Sequence, residues 1–512
     1  MPNNHERVGI IDIGSNSIRL AIYETTPQGY YRLINELKES ARLSGKMNAA
    51  GAMEAKEIHS IVPILRQFRE VCGAYGCRTL RVAATAAIRN AVNAQEIGRM
   101  LEEETGLPVE ILTGEQEAYF GFVAVAGGMA IDDGFLIDIG GGSTEITYFR
   151  GRTLIESASL PIGAVNAQVK FGVAEEPWPP EQIAQLQEEV RRMLDSLPWI
   201  GARPGLPLIG LGGTIRTLGK LDQRRRKYPL RLAHHYRLEP ESLRHYAETL
   251  PQLPLEKRKR IDGLSKARAD IIVPGITILQ AVFDRVGAAC CLVSGSGLRE
   301  GLLQDTLGLG VPSANEVLER QAGTLLAFHA LAPAAHYHQV RRHAELLYRI
   351  VAKEPDDKEP IKLLQTAAMV YKVGGTIRYH QYDKHTLYWL LQAPLGAFTH
   401  REAVLCSFIA DYPANHGKKS GMEEFGALLQ EKDEEFVQKL GALLEVAVAL
   451  DASETQTVEA VEAIREGEVL LLKLNCRSQA YLETRQLEAA AKSFKKAWDL
   501  RLEWDLRPLS TR

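Results

Sequence analysis

At 512 residues the chain has room for about three to four domains, at roughly 150 residues each. Its 45% hydrophobic and 24% charged residues suit a soluble globular protein with several cores. A formal net charge of -3 excludes bulk basicity as a route to nucleic acid or an anionic membrane, so a polyanionic ligand would need local basic patches.

The first segment, MPNNHERVGIIDIG, lacks the charged start, apolar stretch and cleavage site of a signal peptide. No apolar run reaches the ~18 residues of a membrane span. Six cysteines without zinc spacing (Cys72, Cys77, Cys290, Cys291, Cys406 and Cys476) fit a reduced, cytoplasmic protein. Residues 8–24, VGIIDIGSNSIRLAIYE, read as an apolar strand, a Gly/Ser/Asn turn and an alternating strand, which is a β-hairpin. Residues 135–148, FLIDIGGGSTEITY, repeat the pattern. A shift of 126 positions sets Asp12 on Asp138, Gly14 on Gly140, Ser17 on Ser143 and Arg19 on Glu145. Small turn residues let a ligand approach the backbone, whose successive N–H groups form a nest for an anion. A tight hairpin explains one copy; two copies, each with an aspartate ending its first strand, point to phosphate.

Between the copies, AATAA (83–87) is a small-residue turn that leads into Arg89, and VEILTG (109–114) is a strand feeding the helix EQEAYFGFVAVAG. After them come two strand–turn–helix units, LPLIGLGGTIRTLGKL (206–221) and CCLVSGSGLREGLL (290–303). A glycine turn opening a helix gathers free N–H groups and the positive dipole end at one point, which suits phosphate.

These residues resemble the exopolyphosphatase/guanosine pentaphosphate phosphatase family (Ppx/GppA), in the superfamily of actin, Hsp70 chaperones and sugar kinases. The resemblance rests on Asp12-Ile13-Gly14-Ser15-Asn16-Ser17, Ala84–Ala91, Gly114-Glu115-Gln116-Glu117-Ala118, Asp138–Glu145, Gly212-Gly213-Thr214, and Arg268 ahead of Val273-Pro274-Gly275. It implies an α/β fold of two actin-like (ribonuclease H-like) lobes, mixed sheets flanked by helices, at residues 1–127 and 128–305, with the active site between them. It also implies a homodimer.

Hydrolysis of a phosphoanhydride needs a base, a positioned water, and donors or positive charge on the transferred phosphoryl oxygens. Glu115 and Glu117 both suit the first turn of their helix through its dipole, and local sequence does not choose between them. The resemblance does, and makes Glu117 the catalytic base. Asp138 and Glu145, seven residues apart across a hairpin, can face one cleft and suit Mg²⁺ with phosphate as its other partner. Asp12 is the matching carboxylate of the first lobe, there for hairpin geometry. Ser15, Asn16, Gly141, Gly142, Ser143, Gly213 and Thr214 are candidate phosphate donors. Arg89 and Arg268 are cationic clamps on the strength of the family motif. The run Arg224-Arg225-Arg226-Lys227 is either a solvated loop or a track for a long anionic chain.

Residues 306–314 read as a linker. Residues 314–450 look helical and resemble the HD-type domain of longer family members, but Tyr371-Lys372 stands where a metal-binding His-Asp pair is expected, so a metal-free, non-catalytic domain lending substrate channel or dimer surface is expected. Residues 451–512 read as a small α/β cap ending in a long helix to about Leu506. Together these readings lead to the expectation of an exopolyphosphatase that releases orthophosphate from inorganic polyphosphate. The alternatives are a guanosine pentaphosphate 5′-phosphatase using the same residues and, in another class, a non-catalytic alarmone or nucleotide sensor.

Overall fold

From Val8 onward the strand Glu6–Ile13 (β1) is apolar on both faces, which places it inside a sheet covered on two sides. In this computed structural model it pairs antiparallel with Ser17–Thr25 (β2), which pairs antiparallel with Tyr31–Ser40 (β3). On its other side lie Thr79–Ala84 (β4) and Val109–Ile111 (β5), both parallel, giving the order β3-β2-β1-β4-β5. Helices α1 (Ala55–His59), α2 (Val62–Ala74), α3 (Ala86–Arg89) and α4 (Ala94–Thr105) follow in chain order. Leu65, Phe68, Ile97 and Leu101 from this group close a core over Ile11, Ile13, Leu20 and Ile22. The structure describes residues 5–48, 50–173, 176–380, 382–393, 395–415 and 421–508; the first four residues of the N-terminal segment read above lie outside it.

A second sheet repeats the first. Its strands are β6 (Gly134–Ile139), β7 (Thr144–Arg150), β8 (Thr153–Leu160), β9 (Leu208–Leu211), β10 (Arg237–Leu238) and β11 (Cys291–Val293), in the order β10-β11-β9-β6-β7-β8. The series β8-β7-β6-β9-β11 has the same antiparallel and parallel pairings as β3-β2-β1-β4-β5. Helices α6 (Ala164–Phe171), α7 (Pro180–Asp195), α8 (Gly212–Arg225), α9 (Pro240–Thr249), α10 (Leu255–Arg258) and α11 (Ile272–Val286) belong to this lobe. The two actin-like lobes expected from the sequence are present.

Helix α5 (Gly114–Gly128) joins them. Its Phe120 packs with Val8, Ile10 and Tyr23 of the first sheet, while Phe122, Val123 and Val125 pack with Leu136 and Ile209 of the second. Helix α12 (Leu298–Thr306) then returns: Leu302 and Leu303 join the first-lobe cluster, and Arg81 pairs with Asp305 at 2.6 Å. The chain therefore re-enters the first lobe before residue 305, and that lobe is built from two separate segments of chain.

Residues Met1–Val317 and Leu318–Arg512 form two compact units, with α13 (Ala314–His329) running through the division. The second unit holds α14 (Ala334–Val351), α15 (Lys358–Val370), α16 (Tyr382–Gln392), α17 (His400–Asn415), α18 (Asp433–Ala449), β12 (Val458–Glu466), β13 (Val469–Cys476), α19 (Tyr481–Trp498) and β14 (Arg501–Pro508). The expectation of a helix to about Leu506 is corrected. Asp499 takes a left-handed φ of 55° and ends α19 at Trp498, after which β14 pairs parallel with β13. Among the described residues no helix is long and apolar enough to cross a membrane.

Candidate active site

The two hairpin turns are built alike and face each other. The Gly14 N–H donates to the Ser17 carbonyl at 3.2 Å, and the Gly140 N–H to the Ser143 carbonyl at 3.0 Å. Gly141 stands so close to the first turn that a Cβ there would lie 2.7 Å from the Ser15 Cβ. Small residues are therefore needed where the lobes meet. A cavity of about 150 Å³ opens around this meeting point, lined by Ser15, Asn16, Gly141, Ser143 and Asp138 among others.

Register turns the repeat into two rows of side chains, because residues directly opposite on neighbouring strands share a face. In the first lobe Asp12 pairs with Arg19 and Arg19 with Lys38. In the second, Asp138 pairs with Glu145 and Glu145 with Ser159. Asp12, Arg19 and Asp138 line the cavity, whereas Glu145 is buried behind it and accepts a hydrogen bond from Ser159 Oγ at 2.8 Å.

Glu117 reaches the cavity because of how α5 begins. Thr113 caps the helix, accepting from the Gln116 N–H at 3.1 Å while Gln116 Oε1 accepts from the Thr113 N–H at 2.8 Å. That capping box fixes the phase of the first turn. Glu115 faces out, and Glu117 faces the cavity with 11% of its side chain exposed. Arg89 Nη1 donates to Glu117 Oε2 at 2.6 Å and to the Leu112 carbonyl at 3.1 Å, while Nη2 lies 3.4 Å from Ser143 Oγ and 3.7 Å from Glu145 Oε1.

Burial pushes the Glu117 carboxyl up to about 7; Arg89 pulls it down, and Asp138 and Asp12 add to the rise. Burial also raises Asp138 to about 6, and raises Asp12. Glu145 is held well above the ordinary range by burial, then by Glu117 and Asp138. Asp12 Oδ1 and Glu145 Oε2 are buried without a hydrogen-bond partner.

Cationic groups balance these acids. Arg268 lies across Gly213, where a Cβ would come within 1.8 Å of its guanidinium, so glycine is what seats the arginine. Burial, then Arg19 and Arg216, brings Arg268 down to about 10. Arg216 and Arg299, which the sequence reading passed over, also line the cavity. Each stands four residues after the first glycine of its turn (Gly212 and Gly295), a shared spacing that marks them as a pair. The α8 and α12 starts both present free N–H groups there, with the Gly297 N–H taken by Glu300 Oε2 at 2.8 Å.

Four expected ligand residues stand elsewhere. Thr214 is buried against Gly275 of α11, since the third residue of α8 points back into the lobe. Gly142 is turned away, its carbonyl accepting from Asn166 Nδ2 at 2.9 Å. Arg89 and Glu145 lie behind the lining and bear on Glu117 and each other rather than on open space. The run Arg224–Lys227 does not line the cavity. Arg225 and Arg226 pair with the buried carboxylate of Asp222 at 2.8 and 3.0 Å, and Arg224 pairs with Asp262. A buried aspartate needs such partners, which commits these cations locally. Lys227 is exposed in a left-handed turn, φ 50°, after α8.

In the second unit His336 is buried, with Nδ1 2.8 Å from Asp451 Oδ2 and Nε2 2.7 Å from the Tyr371 hydroxyl. Lys372 pairs with Glu454 beside it. These residues border a cavity of about 430 Å³.

Residues 21–309 match the model of the Ppx/GppA phosphatase family, and residues 328–493 match that of Ppx/GppA phosphatase, domain III. A solved Aquifex aeolicus member of the Ppx/GppA family is 30% identical over 60% of this chain and 99% of its own, with a TM-score of 0.52. A second Aquifex aeolicus structure, described as a PPX-GPPA enzyme, is 31% identical over 59% of this chain and 99% of its own, with a TM-score of 0.50. An exopolyphosphatase from Cytophaga hutchinsonii shares the fold at 22% identity, over 60% of this chain and 100% of its own, with a TM-score of 0.53. With one family model spanning more than half its length, the chain belongs to the Ppx/GppA phosphatase family and is a hydrolase of phosphoanhydride bonds.

Proposed function

We propose that the chain is an exopolyphosphatase that removes orthophosphate from the end of inorganic polyphosphate, with Glu117 as general base. The observation that carries this reading is the Glu117 carboxylate, held by Arg89 at 2.6 Å and lining one cavity with both hairpin turns and with Arg19, Arg216, Arg268 and Arg299. The terminal phosphoryl group would sit between the turns, its oxygens met by backbone N–H groups with Ser15, Asn16, Gly141, Ser143 and Gly213. Arg19, Arg216, Arg268 and Arg299 would hold the phosphates behind it. Glu117 takes a proton from water as the water oxygen bonds to phosphorus; the bridging P–O bond breaks and its electron pair leaves on the shortened chain. Arg89 positions Glu117 and keeps part of its charged form available.

The residues fit a hard divalent ion. Asp138 lines the cavity, Glu145 is its cross-strand partner, and Asp12 Oδ1 and Glu145 Oε2 lack partners. That suits Mg²⁺, which keeps waters and takes one or two carboxylates together with substrate phosphate. Asp138, which lines the cavity, would hold it with Glu145 behind, and it would supply positive charge to the phosphoryl oxygens.

Guanosine pentaphosphate presents the same terminal group and is the second reading. A sensor without turnover would have no need of the raised Glu117. The helical unit we take as HD-like and non-catalytic, because both ring nitrogens of His336 are already hydrogen-bonded, to Asp451 and to the Tyr371 hydroxyl. Phosphate release from long polyphosphate, tripolyphosphate and guanosine pentaphosphate, with and without Mg²⁺, tests the proposal. Release from the long chain at the highest kcat/KM supports it, and release from guanosine pentaphosphate alone overturns it in favour of the second reading.

A further inference from the structure

The first-lobe row has an end that the proposed chemistry does not use. Asp12, Arg19 and Lys38 run outward across β1, β2 and β3, and β3 is the edge of its sheet. The row thus leads from the cavity lining, at Asp12 and Arg19, to the exposed edge of the first sheet, at Lys38. Its second-lobe counterpart ends in Ser159, which donates to Glu145, so only the first-lobe row ends in a cation.

Two residues later-numbered or earlier on one strand share a face, so Glu36 stands beside Lys38. Its carboxylate is 2.9 Å from Arg299 Nη1 and 3.8 Å from Arg19 Nη1, although 40% of its side chain remains exposed. Both arginines are cavity-lining and much less exposed. An exposed carboxylate bridging two enclosed guanidiniums is in the position of a phosphate group. Lys38 has the opposite situation. Desolvation, then the charges of Arg19, Arg268 and Arg216, holds its ammonium below the ordinary lysine range, and Glu36, which favours its charge, is committed to Arg299.

We propose that Glu36 and Lys38 form an outer subsite for the inner phosphates of a linear phosphate chain. Glu36 is a resident counter-ion that leaves Arg19 and Arg299 when those phosphates arrive, and Lys38 is the cation that then pairs with them. The subsite rests on the reading of the cleft as a phosphate-chain site. It makes affinity depend on the groups behind the scissile bond and places the chain over β3, away from the Arg224–Lys227 run.

The test uses the full chain with tripolyphosphate as substrate and orthophosphate as a single-phosphate inhibitor. Both residues are exposed on an edge strand, where substitution leaves the core intact. Lys38→Met raises KM for tripolyphosphate about tenfold, the value of roughly one charge pair in a partly enclosed site, and leaves orthophosphate inhibition within about twofold. Lys38→Arg restores KM, and Glu36→Gln lowers it several-fold. Unchanged KM in Lys38→Met and Glu36→Gln, or equal shifts for tripolyphosphate and orthophosphate, overturns the subsite. If the wild type hydrolyses no phosphate chain, the activity reading falls. Calorimetric binding of tripolyphosphate to the same variants then decides the subsite: the same order of affinities upholds it, and equal affinities overturn it.

Discussion

The Arg89 guanidinium stands 2.6 Å from the Glu117 carboxylate and, through its other nitrogen, 3.7 Å from Glu145. One cation therefore serves a carboxylate at the head of α5 and another on β7. Its position suits tuning of the proposed base Glu117 better than a direct clamp on substrate, and the consequences are measurable.

Removing the base is the first. Glu117→Gln keeps the shape and the hydrogen bond to Arg89 but cannot take a proton. The expected outcome is a fall in kcat of about 10²- to 10⁴-fold, with tripolyphosphate binding retained by calorimetry. Phosphate release near the wild-type rate would assign the base elsewhere.

The pH profile is the second. As the proposed base Glu117 would act when deprotonated, and burial raises its carboxyl to about 7, so kcat/KM is expected to rise with pH through about 7 and level off above it. Arg89 lowers that value, since a cation favours the charged form. In Arg89→Met the acid limb moves to higher pH by about one unit, and activity at pH 6.5 falls more than at pH 8.5. A limb that stays in place means Arg89 does not bear on the base.

Gly213 supplies a third. A methyl group there meets the Arg268 guanidinium at 1.8 Å and must displace it. Gly213→Ala should lower kcat/KM by about 10- to 100-fold, the usual cost of misplacing a positioning group by ~1 Å, with little change in melting temperature. Preserved kcat/KM would show that Arg268 can act from another rotamer.

The Arg224–Lys227 run gives the fourth, in a direction set by Asp222. Replacing Arg225 and Arg226 with glutamine leaves a buried carboxylate with the Tyr236 hydroxyl, 2.7 Å away, in place of two cations. Both arginines are well exposed, so the expected destabilisation is about 1–3 kcal/mol, below that of a fully buried pair. The ratio of KM for long-chain polyphosphate to KM for tripolyphosphate should not change. A rise in that ratio would return the run to the path of the chain.

Both hairpins were legible because a period-two alternation and a repeat at fixed spacing are properties of sequence alone. The choice between Glu115 and Glu117 was not. Residues two apart on a helix point to opposite sides, and which side meets the cleft depends on where α5 lies between the lobes. Arg216 and Arg299 were missed for a related reason, since a single arginine in a helix looks like a surface residue until its helix start is placed. The local pairing of the Arg224–Lys227 run, which the sequence left between a solvated loop and a track, was also readable. Asp222 precedes Arg225 and Arg226 by three and four residues, which on a helix puts all three on one side. The return of α12 to the first lobe had no local signal, because Leu302 and Leu303 would pack equally well on either sheet.

That return has a mechanical consequence. Helices α5 and α12 are the two places where the chain passes between lobes, and they pack against each other. A body joined at one point can swing in any direction, whereas one joined at two neighbouring points turns about the line through them. The lobes are left with a single axis of opening and little freedom to slide. Any opening about that axis would bring Ser15 and Gly141 back to the same place on closure.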